Sequence, residues 1–94
     1  MSLKVVLLNS FKRDLKRIKK RGYDIKLLDS VVRMIASQEK LAERYCDHAL
    51  TGNYLGFREC HVKPNWLLIY IIKENELVLT ASRTGTHSDA LRPA

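Results

Sequence analysis

The spacing of apolar residues changes along the chain, and each change predicts an element. Leu3 to Leu8 is a short run rich in Val and Leu, closed by Asn9 and Ser10, both good helix N-caps, so it predicts a strand handing over to a helix. Phe11, Leu15 and Ile18 then recur at i, i+4 and i+7, the spacing of one helix face. Gly22 supplies a stop and Asp24 caps a second helix, in which Leu28, Val31, Val32 and Ile35 repeat that spacing. Two such stripes predict a pair of packed helices. Residues 39 to 55 hold no sustained period and contain Asp47, Thr51, Gly52 and Asn53, which predicts a short helical turn followed by a loop. Beyond it the pattern predicts strands at Phe57 to Val62, Trp66 to Lys73 and Leu77 to Ser82, with reversals at Pro64 and at Glu74-Asn75. Helices on one face of a small, mainly antiparallel sheet give an α+β fold in the order β-α-α-β-β-β.

Length and composition narrow the class. At 94 residues there is chain for one domain, residues 1–94, and 46% hydrophobic with 29% charged residues excludes disorder for most of it. The longest apolar run, Trp66 to Ile72, is far shorter than the roughly 20 residues a membrane-spanning helix needs. The first residues lack the apolar core and small-residue cleavage site of a signal peptide, so a cytoplasmic protein is expected. Cys46 and Cys60 do not form a disulfide framework and are expected to be reduced and packed.

Charge gives the first functional clue. The net charge is +7, and residues 1 to 33 hold ten Lys/Arg against three Asp/Glu, whereas residues 34 to 94 hold seven of each. Seven of the ten positions from Lys12 to Arg21 are basic: Lys12, Arg13, Lys16, Arg17, Lys19, Lys20 and Arg21. A solvated helix face is the ordinary reading of such a run. At this density, however, repulsion along one helix is a cost that an anionic partner relieves by neutralisation and counterion release. RNA, DNA and an acidic protein all qualify.

The short reversals also predict registers, because paired residue numbers sum to a constant along an antiparallel ladder. With Lys63-Pro64 as the first loop, His61 faces Trp66; with Glu74-Asn75 as the second, Trp66 faces Arg83. The three side chains then form one row across three strands. A shift of one residue at the proline turn sends His61 to the other face. Indole can stack on a base, a guanidinium can hold phosphate oxygens, and imidazole can move a proton near neutral pH. His87, after Gly85, and His48, in the preceding loop, are candidates to approach the same end of the sheet. For each histidine alone the ordinary reading is a surface or hydrogen-bonded residue. Their spacing of 13 and 26 residues, with neither cysteine in a ligand motif, points to no metal site.

These residues fall in three ordered stretches: Asp47-His48-Ala49-Leu50-Thr51-Gly52-Asn53-Tyr54, Gly56 to Tyr70, and Arg83-Thr84-Gly85-Thr86-His87-Ser88. Together they resemble the YafQ branch of the RelE/ParE toxin superfamily over essentially the whole chain. The resemblance implies the toxin half of a bacterial type II toxin-antitoxin pair, an mRNA interferase that cuts mRNA in the ribosomal A site. It implies metal-independent phosphodiester cleavage by the ribose 2′-hydroxyl with no cofactor, which needs a base, an acid and a cation for the phosphorane. Carried over by motif, the catalytic residues are His48, His61, Arg83 and His87, with Arg83 on the phosphate, His87 as acid and His48 or His61 as base. The basic helix, Asn65 and Trp66 are the expected RNA contacts. The implied partners are mRNA, ribosomal RNA and a cognate antitoxin whose acidic segment folds on binding, with operator DNA reached only through that complex. Two departures stand out: Asn65 replaces a common Asp and cannot exchange a proton at neutral pH, and Leu91 stands near where an aromatic is common. Two other functions fit parts of the pattern, a ParE-like inhibitor of DNA gyrase and a non-catalytic basic nucleic-acid-binding module. The histidines with Arg83 argue against the first; Asn65 keeps the second open.

Overall fold

The computed structural model describes residues 2–90. Its elements are β1 (Lys4–Leu7), α1 (Asn9–Lys20), α2 (Ile25–Ala36), β2 (His48–Ala49), β3 (Arg58–Lys63), β4 (Trp66–Lys73), β5 (Val78–Gly85) and α3 (His87–Ala90). Short 3-10 turns cover Glu43–Tyr45, Gly52–Tyr54 and Glu74–Glu76. The strands form one sheet in the order β1-β5-β4-β3-β2, antiparallel except for the parallel pair of β1 with β5. The expected α+β architecture is therefore present, with two additions, the strand β2 and the four-residue helix α3 after β5. The two-residue strand β2 lies in the stretch expected to be loop, and two residues are too few to show a period.

Both helices form for the reasons their spacing gives. In α2 the buried residues are Leu28, Val31, Val32, Ile35 and Ala36, and the Asp24 carboxylate accepts the Lys26 amide at 3.1 Å. Gly22, at φ +83°, takes the left-handed conformation that ends the preceding turn. The start of α1 departs from expectation: Leu8 holds the cap position without a side-chain bond, and the Ser10 hydroxyl donates instead to the Ser82 carbonyl at 2.7 Å. Among the described residues no helix is long and apolar enough to cross a membrane.

β4 is the centre of the molecule, with Trp66 through Tyr70 all buried. Alternation sends Trp66, Leu68 and Tyr70 to the helix side, against Phe11, Ile18, Leu28 and Val31. Leu67 and Ile69 face the other way and are covered by Leu50, Tyr54 and Phe57.

The predicted row of His61, Trp66 and Arg83 does not form. In β3 the register slips at Val62, so that His61 pairs with Leu67 and Lys63 with Trp66. The second reversal takes four residues, with Leu77 at φ +54° and Lys73 opposite Val78. Ser82 is then an extra residue, and Arg83 pairs with Ile69. Each bulge moves a side chain by one place, and with a period of two one place changes its face. Cys60 is buried as expected, whereas Cys46 is exposed; both are free thiols. Burial pushes the Cys60 thiol up to about 12.

Candidate active site

The slipped registers assemble a different row: His48 pairs with Glu59, Glu59 with Ile69, and Ile69 with Arg83. His48, Glu59 and Ile69 lie on the face turned away from α1 and α2, and His61 joins them because it lies two residues beyond Glu59; the Arg83 guanidinium instead reaches α1. Three strand spacings separate the ends of the row, so the His48 and Arg83 backbones stand about 14 Å apart across the sheet.

Glu59 is the residue that the sequence reading missed. It is 5% exposed, and Oε1 lies 3.6 Å from His48 Nε2 and 3.7 Å from His61 Nε2. One buried carboxylate thus stands between two imidazoles. The far nitrogen of each ring meets a backbone carbonyl, His48 Nδ1 with Cys46 O at 2.7 Å and His61 Nδ1 with Pro64 O at 3.1 Å. A carbonyl only accepts, so Nδ1 of each ring carries a hydrogen, and Nε2 is the ring nitrogen that lies nearest Glu59. A signal for Glu59 existed in the sequence: it is a charge inside a strand, two residues from a histidine and hence on its face.

His87 opens α3 and is exposed. It lines a cleft of about 370 Å³ with His61, Pro64, Asn65, Leu67 and Thr86. His48 and His61 are thus brought together by Glu59, and His61 and His87 by this cleft.

Arg83 is placed differently from expectation. Only 6% exposed, it donates to buried Asp14 of α1 from Nε at 2.7 Å and from Nη2 at 3.3 Å, and Tyr54 also engages it. The Asp14 bonds hold its pKa above the ordinary guanidinium value. Asp14 also receives Arg17 Nη1 and the Thr84 amide, each at 3.1 Å. Two guanidinium groups on one carboxylate leave a net positive charge, embedded rather than open. The remaining basic residues of the helix, Lys12, Arg13, Lys16, Lys19, Lys20 and Arg21, are exposed, while Arg17 is half-buried. Asp14 too was legible, as an acid within the Phe11, Leu15, Ile18 stripe.

Trp66 corrects a second expectation. Its indole is 3% exposed, packs edge-on to Tyr23 with centroids 4.9 Å apart, and donates Nε1–H to Thr84 Oγ1 at 2.9 Å. In this arrangement it is a core residue without a free face for a base. Asn65 is exposed in the β3–β4 reversal and lines the His87 cleft. Leu91 lies outside the described residues. Among the described residues no three His, Cys, Asp or Glu side chains converge as ligands for a metal ion.

The sequence model of the family described as bacterial toxin of type II toxin-antitoxin system, YafQ, matches residues 3–92. The chain belongs to the YafQ toxin family. It is 35% identical over 79 residues to the mRNA interferase toxin YafQ of Escherichia coli K12, covering 83% of this chain and 84% of that one. The crystal structure of a metal-bound toxin from Helicobacter pylori has a TM-score of 0.87 to it at 45% identity, covering 93% of this chain and 97% of that one. The YafQ family fold also superposes on the E. coli DinJ-YafQ toxin-antitoxin complex, with a TM-score of 0.85 at 29% identity over 98% of this chain and 100% of the matched chain. All of the residues singled out for chemistry up to His87 fall inside the matched region.

Proposed function

We propose that this YafQ family member is an endoribonuclease that cleaves mRNA on the ribosome and is silenced by an antitoxin. Two similarities support the reading: the E. coli relative bears the name mRNA interferase, and a neighbouring structure is a toxin-antitoxin complex. The observation that carries the chemistry is the Glu59 carboxylate held between His48 and His61, with His87 on the cleft that His61 lines.

The geometry favours His61 over His48 as the base, since His61 belongs to both groups, and His48 flanks Glu59 from the other side and positions that carboxylate. Its Nε2 takes the proton of the ribose 2′-hydroxyl, and the oxygen attacks the adjacent phosphorus. The new bond is 2′-O to phosphorus and the broken one is phosphorus to 5′-O, whose leaving oxygen receives a proton from His87. The products are a 2′,3′-cyclic phosphate and a 5′-hydroxyl. Glu59, 3.7 Å from that same nitrogen, offsets the positive charge of the imidazolium that forms on His61. The Asp14, Arg17 and Arg83 group supplies positive potential at the end of the row. The basic face of α1 suits ribosomal RNA phosphates, positioning the toxin without reading sequence. Asn65 is suited to hydrogen-bonding RNA at the cleft but not to proton transfer.

Cell-free translation tests this. The expected result is mRNA cut at ribosome-bound codons, with Glu59→Gln and His87→Ala each losing at least about tenfold in cleavage while staying folded. Unchanged cleavage in both variants would remove the site assignment. Inhibition of gyrase supercoiling without mRNA cleavage would replace the function itself.

A further inference from the structure

His48 sits on the weakest strand of the sheet. β2 is two residues long, lies at the edge, and is exposed at both positions. Strands this short do not hold their own register, and a slip of one residue would turn His48 from the Glu59 face to the opposite one. Cys46, just before it, takes a left-handed φ of +48°, a conformation of order 1 kcal/mol above the helical or extended basins for a residue with a Cβ. Something outside β2 has to hold this turn in place.

Asp47 provides the hold. Its Oδ2 accepts from Arg58 Nε at 3.2 Å and Nη2 at 3.1 Å, and its Oδ1 accepts the Tyr70 hydroxyl at 2.5 Å. Arg58 lies opposite Ala49 of β2, and Tyr70 is the next residue of the same row, 2% exposed on the central strand β4. The three groups tie the edge to the core across three strands. They do so from the helix side, where Tyr70 packs with Cys60 and Leu68, while His48 is on the opposite side. A phenol is a donor at neutral pH, and burial, then the Asp47 contact, raises Tyr70 further above its ordinary value.

We infer that Asp47, with Arg58 and Tyr70, is a positioning device for the active site, fixing β2 so that His48 faces Glu59 across the strand pair. It touches no substrate and acts through His48. The inference rests on the proposed nuclease reading for its effect on rate, but not for its effect on geometry.

The test compares Asp47→Ala and Tyr70→Phe with Val31→Ala, a core truncation in α2 remote from β2. Cleavage of ribosome-bound mRNA should fall in kcat by about tenfold for Asp47→Ala and about threefold for Tyr70→Phe, with KM changed less than about twofold. Asp47→Asn, which keeps an acceptor on the same stem, should recover part of the loss. In NMR spectra of the free toxin, the cross-strand nuclear Overhauser effect between His48 and Glu59 should weaken or vanish in Asp47→Ala. Val31→Ala should lower the melting temperature yet keep kcat and that signal. Retention of the His48–Glu59 signal in both Asp47→Ala and Tyr70→Phe, or a rate loss carried by KM, would overturn the inference. A wild-type protein that does not cleave mRNA would instead remove the nuclease reading, and the NMR comparison would still decide whether the clamp exists.

Discussion

Arg83 and His48 occupy the two ends of one row, and opposite means hold them. Arg83 belongs to an eight-residue strand, is 6% exposed, and is bound by an Asp14 carboxylate that is itself 1% exposed. The His48 side chain is 51% exposed on a two-residue edge strand, held by one backbone carbonyl and by the neighbouring Asp47 clamp. One row of the sheet therefore carries a cation built into the core and an imidazole kept in place from its margin. Substitution at the first end should register mainly in stability, and at the second mainly in chemistry.

The largest effect expected is at the buried end. Asp14→Ala leaves Arg83 without its carboxylate and strips the Thr84 amide of its acceptor, and breaking a buried pair from one side costs about 3–5 kcal/mol. In a domain of this size that lowers the melting temperature by more than about 12 °C, measurable by calorimetry. A drop of only a few degrees would mean that Arg83 finds water readily and that the two ends do not differ.

Alkaline pH probes the same interior next. The Cys60 thiol, at 9.0 when unfolded, is raised to about 12 by burial, so the native state holds a proton that the unfolded chain has lost. Its contribution is complete below pH 9 and disappears as pH rises toward about 12. Denaturant melts should show stability falling across that window, and Cys60→Ala should make the fall shallower. Equal slopes would place the alkaline loss on other groups. The raised Tyr70 phenol adds a loss of the same sign at the upper end.

A smaller effect separates packing from hydrogen bonding in the core. Trp66→Phe keeps a ring against Tyr23 but removes the donor to Thr84 Oγ1, and urea melts should show a loss of about 1–2 kcal/mol. Cleavage by this variant should stay within about threefold of wild type, since the indole is not open to RNA. A loss of a hundredfold would return Trp66 to the site.

At the margin the stability effect should be smallest. His48→Ala should change unfolding free energy by less than about 0.5 kcal/mol, as exposed substitutions do. Its cleavage rate should nevertheless fall at least about tenfold through loss of the group that flanks Glu59, which sharpens the contrast between the two ends.

Much of this site could be read from the chain. The period of two puts Glu59 and His61 on one face, and the helical period puts Asp14 among Phe11, Leu15 and Ile18. The family-like stretches around His48, His61 and His87 lie on the chain in the order of the elements that carry them. The strand limits of β4 and the buried stripe of α2 follow from apolar spacing. β2 was not legible, because two residues carry no periodic signal and its existence depends on what β3 offers beside it.

By itself the sequence determined the α+β class, the helix pair, the central apolar strand and the concentration of positive charge on α1, since each rests on local spacing or composition. Tertiary structure alone decided which side chains meet. The extra residues at Val62 and Ser82 set the ladders of β3 and β5 against β4, and a ladder with a period of two turns each such slip into an exchange of faces. Trp66 and His61 therefore went to opposite faces, while Asp14 reached across 69 positions to hold Arg83.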